Sequence, residues 1–327
     1  MIITKTPFRM SFFGGGTDME SYFRENGGAV LSTTFDKYCY VTVRHLPQVF
    51  EYTTEAVYSK TERVKTIDEI KHPAIRNAMQ MMDVKNVRLT YEADLPARSG
   101  LGTSSSFAVG MLHAFHALKG KYADKKELAD EAIRLERILC NEAGGWQDQI
   151  AASFGGLNKI VFDHNGYTVN PVIIGAERRK DLNNNLMMFF TGFTRFSAEI
   201  QVENQNVARN KMAELKEMRS LVDEAEQILV STGSSLDEFG RLLDHTWQLK
   251  KQTGSKVSTE GIDMLYEKGI EAGALGGKLL GAGGGGFLLF YVPQDKQDAV
   301  KKAMNGLLNI PFKFESEGTR VIHYTAE

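Results

Sequence analysis

The sequence predicts an α+β fold built from two domains, and three observations support this prediction. The chain has 327 residues, and at roughly 100–200 residues per domain this length favours two domains. Up to about residue 182, segments with strand composition come first, helical segments follow and strand segments return, an order typical of α+β proteins. The polar stretch DLNNN at 181–185 separates this part from the rest. We therefore place the domains at 1–182 and 183–327.

The first domain is predicted to begin with an extended segment over 2–13 that ends at three glycines, 14–16. A short helix over 19–26 follows and ends at Gly27 and Gly28, because glycine commonly terminates helices. Composition rich in β-branched and aromatic residues, or apolar–polar alternation, predicts strands or hairpins at 29–35, 38–46, 48–54, 57–64, 87–96, 156–163 and 167–174. Apolar periodicity predicts helices at 67–83, 107–120 and 124–144.

The second domain is predicted to begin with a strand at 186–192 and a long helical stretch at about 197–231. The remaining elements are two helices, two apolar strands around a glycine run, a helix and a final strand or hairpin, at 235–252, 259–273, 278–292, 295–307 and 311–324.

Composition excludes several classes of protein. Lysine plus arginine number 39 against 41 acidic residues, a net charge of −2 that gives no support for nucleic-acid binding. Two cysteines, Cys39 and Cys140, are too few for a disulfide scaffold or a four-cysteine zinc site. The N-terminus lacks the pattern of a signal peptide, and the longest apolar runs are too short to span a bilayer. We expect a cytoplasmic protein with no nucleic-acid or membrane partner. The oligomeric state stays open, a homodimer being one option.

The strongest functional signal is the loop Pro96-Ala97-Arg98-Ser99-Gly100-Leu101-Gly102-Thr103-Ser104-Ser105-Ser106, between a predicted strand and a predicted helix. Glycines let main-chain amides converge on a phosphate, and a helix N-terminus adds about half a positive charge. Four consecutive hydroxyl residues, at 103–106, supply phosphate donors and a candidate Mg²⁺ ligand. The loop lacks the G-x-x-x-x-G-K-[ST] pattern of a Walker loop. A serine-rich loop that only caps the helix is the alternative.

The run Gly281-Ala282-Gly283-Gly284-Gly285-Gly286 matches the dinucleotide-binding pattern G-x-G-x-x-G, but a strand follows it where that pattern requires a helix. We therefore exclude a dinucleotide enzyme. A tight turn between strands needs fewer glycines than this run contains, so we favour close approach to a ligand or to the other domain.

Four charged residues are candidates for catalysis or binding. Arg9 and Asp18 stand beside an apolar strand, and a structural ion pair or helix cap is the alternative for each. Asp148 follows a glycine pair in a small, apolar setting unsuited to a solvated charge. Glu136 lies on a predicted helix, where solvent-exposed carboxylates are common, with Glu131 and Glu142 as nearby competitors.

Three segments together resemble the motifs of the GHMP kinases: TPFRMSFFGGGTD at 6–18, LPARSGLGTSSSFAVG at 95–110 and KLLGAGGGGFLLFY at 278–291. The resemblance extends over almost the whole chain. It implies the two-domain GHMP kinase fold, with an N-terminal mixed β-sheet and helices and a C-terminal ferredoxin-like domain. ATP is the implied co-substrate and Mg²⁺ the implied cofactor. GGGTD and GGWQDQIAASFGG are most similar to sugar kinases that phosphorylate D-glycero-D-manno-heptose 7-phosphate at the anomeric oxygen. The fucokinase domain is a near relative.

The resemblance also implies roles for individual residues. It places the ATP-phosphate loop at Gly100, Leu101, Gly102, Thr103, Ser104, Ser105 and Ser106, and the Mg²⁺ ligands at Ser104 and Glu136. The spacing from Glu136 to the catalytic aspartate differs by about one residue from the mevalonate kinase pattern. Asp148 is the implied catalytic residue and Arg9 its basic partner. The implied substrate-binding residues are Gly16, Thr17, Asp18, Gly283, Gly284 and Gly285.

A sugar phosphate as acceptor would need cations of its own. Candidates near the expected cleft are Arg44, Arg98, Arg195, Lys250 and Lys251, although a solvated surface position is the alternative for each. The sequence therefore predicts an ATP-dependent sugar-phosphate kinase. A free-sugar kinase similar to fucokinase and an inactive sensor of the same fold are the alternatives.

Overall fold

The computed structural model describes residues 1–97, 99–192 and 211–326. Its strands in these ranges are β1 (Ile2–Phe13), β2 (Gly28–His45), β3 (Thr54–Val57), β4 (Thr61–Val64), β5 (Val87–Ala93), β6 (Leu157–Asp163), β7 (Gly166–Pro171), β8 (Leu186–Phe190), β9 (Gly276–Leu279), β10 (Phe287–Tyr291), β11 (Leu308–Asn309), β12 (Phe314–Glu315) and β13 (Arg320–Tyr324).

The helices in the same ranges are α1 (Glu20–Asn26), α2 (Pro73–Met81), α3 (Thr103–Leu118), α4 (Lys125–Ile133), α5 (Gln147–Phe154), α6 (Ala176–Asn184), α7 (Met212–Val230), α8 (Asp237–Gln252), α9 (Glu260–Glu271) and α10 (Gln297–Ala303). Arg134–Leu139 continue α4 as a π-helical segment, and Ile67–Glu69 and Gln294–Lys296 are single 3₁₀ turns. No helix within the described ranges combines the length and apolar character that a membrane crossing requires.

The first sheet is mixed and is built around the long strand β2. Its main order is β13-β1-β2-β5-β3-β4, and all the neighbours are antiparallel except β3 and β5. The first part of β2 pairs with β6 and its second part with β5. The apolar helix α3 packs on β1 and β2, so the loop that precedes α3 lies close to the end of the strand that carries Arg9.

The second sheet is antiparallel, with the order β11-β8-β10-β9. Along the chain these elements run β8, helices, β9, β10, α10 and β11, so the spatial order is 4-1-3-2 in a β-α-β-β-α-β unit. This is the ferredoxin-like arrangement, and the fold that the resemblance implied is confirmed.

The two halves share a continuous apolar core. Phe12 and Phe13 at the end of β1 both pack edge-on against Phe239 of α8, with ring centroids 5.4 Å and 5.1 Å apart. Leu280, beyond β9, belongs to the same cluster of buried side chains. This shared core fixes the glycine run after β9 against the first half of the chain.

The last two strands of the chain pair with the first sheet. We assigned 183–327 to one C-terminal domain, but Phe314 of β12 pairs with Phe35 of β2, and Tyr324 of β13 pairs with Ile2 of β1. The end of the chain therefore returns to the first sheet. The polar stretch 181–185, where we placed the domain boundary, forms the end of α6 and the residue after it.

Several predicted elements have different limits. Helix α3 begins at Thr103, four residues before the predicted start, because the hydroxyl-rich segment forms its first turn. The predicted helix 124–144 ends with the π-helical segment at Leu139. The short helices α5 and α6 were not predicted. Most of the predicted stretch 197–231 is described as α7, whereas its first part, 197–210, lies outside the described residues.

Candidate active site

Arg9 and Asp148 form a bidentate ion pair at the centre of the candidate site. Arg9 Nε donates to Asp148 Oδ1 at 2.8 Å, and Arg9 Nη2 donates to Oδ2 at 2.9 Å. Arg9 Nη1 donates to the carbonyl oxygen of Gly100 at 2.6 Å. Arg9 lies on β1 and is only 4% exposed. Its hydrogen bonds to the first turn of α5 and to the glycine loop hold the guanidinium in place.

The loop before α3 has the geometry of an anion site. Gly100 and Gly102 have φ values of 84° and 71°, a region that glycine adopts without strain. The amides in the first turn of α3 have no carbonyl partner within the helix, as at any helix N-terminus. Leu101 has a fully buried side chain, and its carbonyl accepts the amide of Arg9 at 3.1 Å. Its contribution to a ligand is therefore limited to the main chain.

Ser106 differs from the other hydroxyl residues of this loop. Its hydroxyl donates to the carbonyl of Pro7 at 2.9 Å, and its amide donates to the carbonyl of Gly102 at 2.9 Å. Both groups therefore donate hydrogen bonds within the protein. Ser106 anchors α3 to β1, and its predicted role in phosphate binding stays a prediction.

Glu136 is buried beneath the first turn of α3. It is 1% exposed. It accepts hydrogen bonds from the hydroxyls of Ser104 and Ser105, at 2.9 Å and 2.7 Å, and from Gln149 Nε2 at 2.5 Å. These donors are neutral, and within the described part of the chain Glu136 has no ion-pair partner. A buried carboxylate is costly without a cation, and the other amide atom, Gln149 Oε1, is buried without a partner. Carboxylate and hydroxyl oxygens are ligands that Mg²⁺ prefers, so the donor set fits this ion.

A π-helical segment continues α4. A π-helical turn contains one more residue than an α-helical turn and often occurs at functional sites. Glu136 lies within this segment, Arg134–Leu139, before the chain reaches Asp148.

The second and third glycine motifs pack directly against each other. A Cβ atom on Gly281 would lie 2.4 Å from Gly100 Cα, and one on Gly286 would lie 2.2 Å from the carbonyl oxygen of Ser99. Only glycine permits this approach. The third motif therefore supports the phosphate loop from the second half of the chain.

Gly283, Gly284 and Gly285 are not among the residues that line the pocket, and their role in substrate binding stays a prediction. A Cβ atom on Gly283 would lie 2.7 Å from Val257 Cα, and the amide of Gly284 donates to the carbonyl of Val257 at 3.1 Å. Gly281 and Ala282 line the pocket instead. Glycines in a packed turn and glycines beside a ligand have the same local sequence signal.

Asp18 is a pocket carboxylate, 3% exposed, held by main-chain amides. Gly16 donates to its Oδ1 at 2.9 Å and Gln147 to its Oδ2 at 3.2 Å. Burial raises the pKa of Asp18, and the neighbouring charge of Asp148 adds to the rise. A Cβ atom on Gly145 would lie 1.9 Å from Asp18 Oδ2, so the glycine pair after Glu136 makes room for this side chain.

Thr17 is fully buried, and its role in substrate binding stays a prediction. Its hydroxyl donates to the carbonyls of Gly14 and Ala29 and accepts the amide of Ala29. It fixes the glycine turn, whereas Gly16 does line the pocket.

The pocket between the two halves has an excess of positive charge. Its lining in the described residues includes five cationic side chains and two carboxylates: Arg9, Arg137, Lys211, Lys250 and Lys278, with Asp18 and Asp148. Sequence reasoning missed Arg137, which is adjacent to Glu136, and also Lys211 and Lys278. The single lysine at the start of an otherwise apolar strand was the available signal for Lys278.

The cations predicted to bind the acceptor's phosphate differ in where the structure places them. Lys250 lines the pocket and is buried. Lys251 lies outside it and pairs with Asp263 at 3.3 Å, and Arg44 does not line it either. Arg98 and Arg195 lie outside the described residues.

Comparison with known proteins identifies the family. The family model described as "GHMP kinases N terminal domain" matches residues 65–156, and "GHMP kinases C terminal" matches residues 218–309. The chain belongs to the GHMP kinases. It is a sugar kinase of this family, a phosphotransferase that acts on a sugar hydroxyl, and ATP is its co-substrate.

Among its relatives is a D-glycero-alpha-D-manno-heptose 7-phosphate kinase of Campylobacter jejuni, 30% identical over 336 residues that cover 98% of each chain. An L-fucokinase/L-fucose-1-P guanylyltransferase of Bacteroides fragilis is 32% identical over 66% of this chain and 23% of that protein. A crystal structure of a D-glycero-D-manno-heptose 1-phosphate kinase from Bacteroides thetaiotaomicron covers all of both chains, with a TM-score of 0.80 and 24% identity. This last likeness concerns the fold.

Proposed function

We propose that this kinase transfers the γ-phosphate of ATP to the anomeric oxygen of D-glycero-D-manno-heptose 7-phosphate and so forms the 1,7-bisphosphate. The pocket carries the argument, because it places the Arg9–Asp148 pair beside the phosphate loop and also contains Arg137, which has no carboxylate partner among the described residues. A free sugar would leave Arg137 without an anionic ligand, whereas Lys211 already pairs with Glu214 at 3.2 Å. The similarity to the heptose 7-phosphate kinase of Campylobacter jejuni supports the same acceptor.

In this proposal the anomeric hydroxyl oxygen attacks the γ-phosphorus while the bond from phosphorus to the β–γ bridging oxygen breaks. ADP leaves with that electron pair, and the hydroxyl proton passes to the carboxylate of Asp148. Arg9 positions the carboxylate of Asp148 through two parallel hydrogen bonds. Because the transition state is governed by position and charge, these fixed cations lower the barrier without a covalent intermediate.

The ATP phosphates bind at the first turn of α3, and Ser104 and Glu136 are the residues that hold Mg²⁺. When bound, Mg²⁺ neutralises charge on the phosphate oxygens. Ser105 and Gln149 orient Glu136, since each donates to its Oε2 atom. Such supporting hydrogen bonds typically determine the affinity of a metal site.

Arg137 and Lys211 are proposed to bind the phosphate that the acceptor already carries. Both line the pocket and are half-buried, unlike the deeply buried lysines. Arg137 Nε donates to Gly145 O at 3.2 Å, and Nη1 donates to the carbonyls of Glu142 and Ala143, each at 3.1 Å. Among the described residues it has no carboxylate partner. Its guanidinium is therefore positioned and available for a phosphate.

Initial rates with heptose 7-phosphate, free heptose and fucose test this proposal. We expect kcat/KM to favour heptose 7-phosphate by about two to four powers of ten, since each charge-assisted phosphate contact contributes roughly 1.5–3 kcal/mol. Arg137→Gln should reduce this preference, whereas Arg134→Gln, on the exposed side of the same π-helical segment, should not. Equal use of fucose would support the alternative of a free-sugar kinase, which the similarity to the Bacteroides fragilis fucokinase favours.

A further inference from the structure

Two buried lysines have no role in the chemistry described so far. Lys250 near the end of α8 is 9% exposed, and Lys278 of β9 is 2% exposed. The Lys250 ammonium donates to the carbonyl of Gly281, and Lys278 Nζ donates to the carbonyl of Phe12 at 2.7 Å. Within the described ranges neither forms an ion pair. An ammonium has three donors and is costly to bury without an anion. Both groups can therefore donate further hydrogen bonds to an anionic ligand.

We propose that Lys250 and Lys278, together with Arg9, bind the phosphoryl group that is transferred, and not the phosphate that the acceptor already carries. This inference rests on the proposed function only for the identity of the acceptor. It adds two residues that contact the reacting group to the pair that handles the proton.

The positions of the three cations support this assignment. Arg9 Nη1 donates to the carbonyl of Gly100, and Lys250 to the carbonyl of Gly281, and these two glycines are in main-chain contact. The cations therefore meet where the third motif packs on the phosphate loop. Lys278 is bound to the end of β1, the strand that carries Arg9. The terminal phosphate of an ATP held by the loop would lie beside this junction.

The charges indicate the same ligand. Burial and the neighbouring Arg9 charge lower the pKa of Lys250 to about 8, and the nearby carboxylates of Asp18 and Asp148 oppose the change only in part. Burial, Lys250 and Arg9 hold the pKa of Lys278 well below its usual range. Positive charge on these neighbouring groups is therefore costly in the empty enzyme, and a multiply charged phosphoryl group lowers that cost.

Calorimetric titration of MgATP and MgADP without sugar tests the assignment. In Lys250→Met and Lys278→Met we expect the affinity for MgATP to fall about ten- to a hundredfold, the range for lost charge-assisted contacts, and that for MgADP to fall less than threefold. Lys250→Arg should keep most of the ATP preference. Lys301→Met, an exposed lysine of the same half, is the control.

The unfolding temperature of each variant distinguishes a folding defect from the loss of a ligand contact. If the lysines serve phosphate binding, the methionine variants should unfold at the same temperature as the wild type or higher, since an unpaired buried charge has been removed. Equal losses of ATP and ADP affinity, or unchanged ATP affinity with a raised KM for the acceptor, would overturn the assignment. Because no sugar is present, an ATP-specific loss would uphold the assignment even if heptose 7-phosphate were not the acceptor.

Discussion

Arg9 and Asp148 are 139 residues apart in the sequence, yet they share two parallel hydrogen bonds, Nε to Oδ1 at 2.8 Å and Nη2 to Oδ2 at 2.9 Å. Each carboxylate oxygen retains a lone pair that can accept a further hydrogen bond. Asp148 is partly open, with a side chain 21% exposed, while Arg9 is at 5%. The pair therefore combines a fixed cation with a carboxylate that a substrate hydroxyl can reach.

Asp148→Asn should reduce kcat by about 10²–10⁴-fold, because the amide keeps the shape of the side chain but no longer accepts the proton. The affinity for MgATP should stay within a few-fold of the wild type. Steady-state kinetics and nucleotide titration measure the two quantities, with the exposed Asp298→Asn as control. Wild-type turnover in a folded Asp148→Asn enzyme would remove Asp148 from the mechanism.

Ser104→Ala should raise the Mg²⁺ concentration needed for half-maximal MgATP binding on the order of tenfold, since a ligand to the metal is lost. Sugar binding should change little. Ser105 bonds the other oxygen of Glu136 and is buried, so Ser105→Ala should have a smaller effect. Nucleotide titration at several Mg²⁺ concentrations distinguishes the two. A larger shift in Ser105→Ala would move the ligand to Ser105.

Gly145→Ala should raise KM for the sugar phosphate at least tenfold and lower the melting temperature by a few degrees. The added Cβ would lie 1.9 Å from Asp18 Oδ2 and would displace that carboxylate from the pocket. Gly175→Ala is a matched control, because Gly175 has a φ of −61° and no atom within 4 Å of the new Cβ. If Gly145→Ala bound the acceptor normally, Asp18 would not be part of the acceptor site.

The pH dependence of kcat/KM for MgATP should show the ionisation of Lys250. Arg9, Lys278, Asp18 and Asp148 surround this amine, and its pKa is lowered to about 8. The amine is charged below that pH, so kcat/KM should be highest there and fall as pH rises through 8. Lys250→Arg should abolish this decline because a guanidinium stays charged. A decline of the same form in Lys250→Arg would assign it to another group.

Local signals predicted the phosphate loop, Arg9, Asp18 and Asp148, because glycine runs, clustered hydroxyls and charges beside apolar strands are visible in short windows. The pairing partners of β12 and β13 were not predictable in this way. Their partner strands lie about 300 residues away in sequence. Which strands pair depends on the packing of the whole chain, and the composition of a short strand does not indicate its partner.

The site shows the same limit. The glycine run at 281–286 is visible in the sequence. Whether these glycines contact a ligand or pack against Val257 is decided by the surrounding structure. Lys278 is a single charge in the apolar segment KLLGAGGGGFLL. Only the fold reveals that it lies near Arg9 and Lys250, which is what gives the charge a chemical meaning.

Phosphorus NMR of the product formed from ATP and heptose 7-phosphate tests the proposed reaction most directly. We predict two sugar phosphate signals of equal intensity, with the new one coupled to the anomeric proton. One molecule of ADP should form for each molecule of bisphosphate. A new phosphate coupled to any other ring or chain proton, or ADP with inorganic phosphate and no new sugar ester, would contradict the proposed reaction.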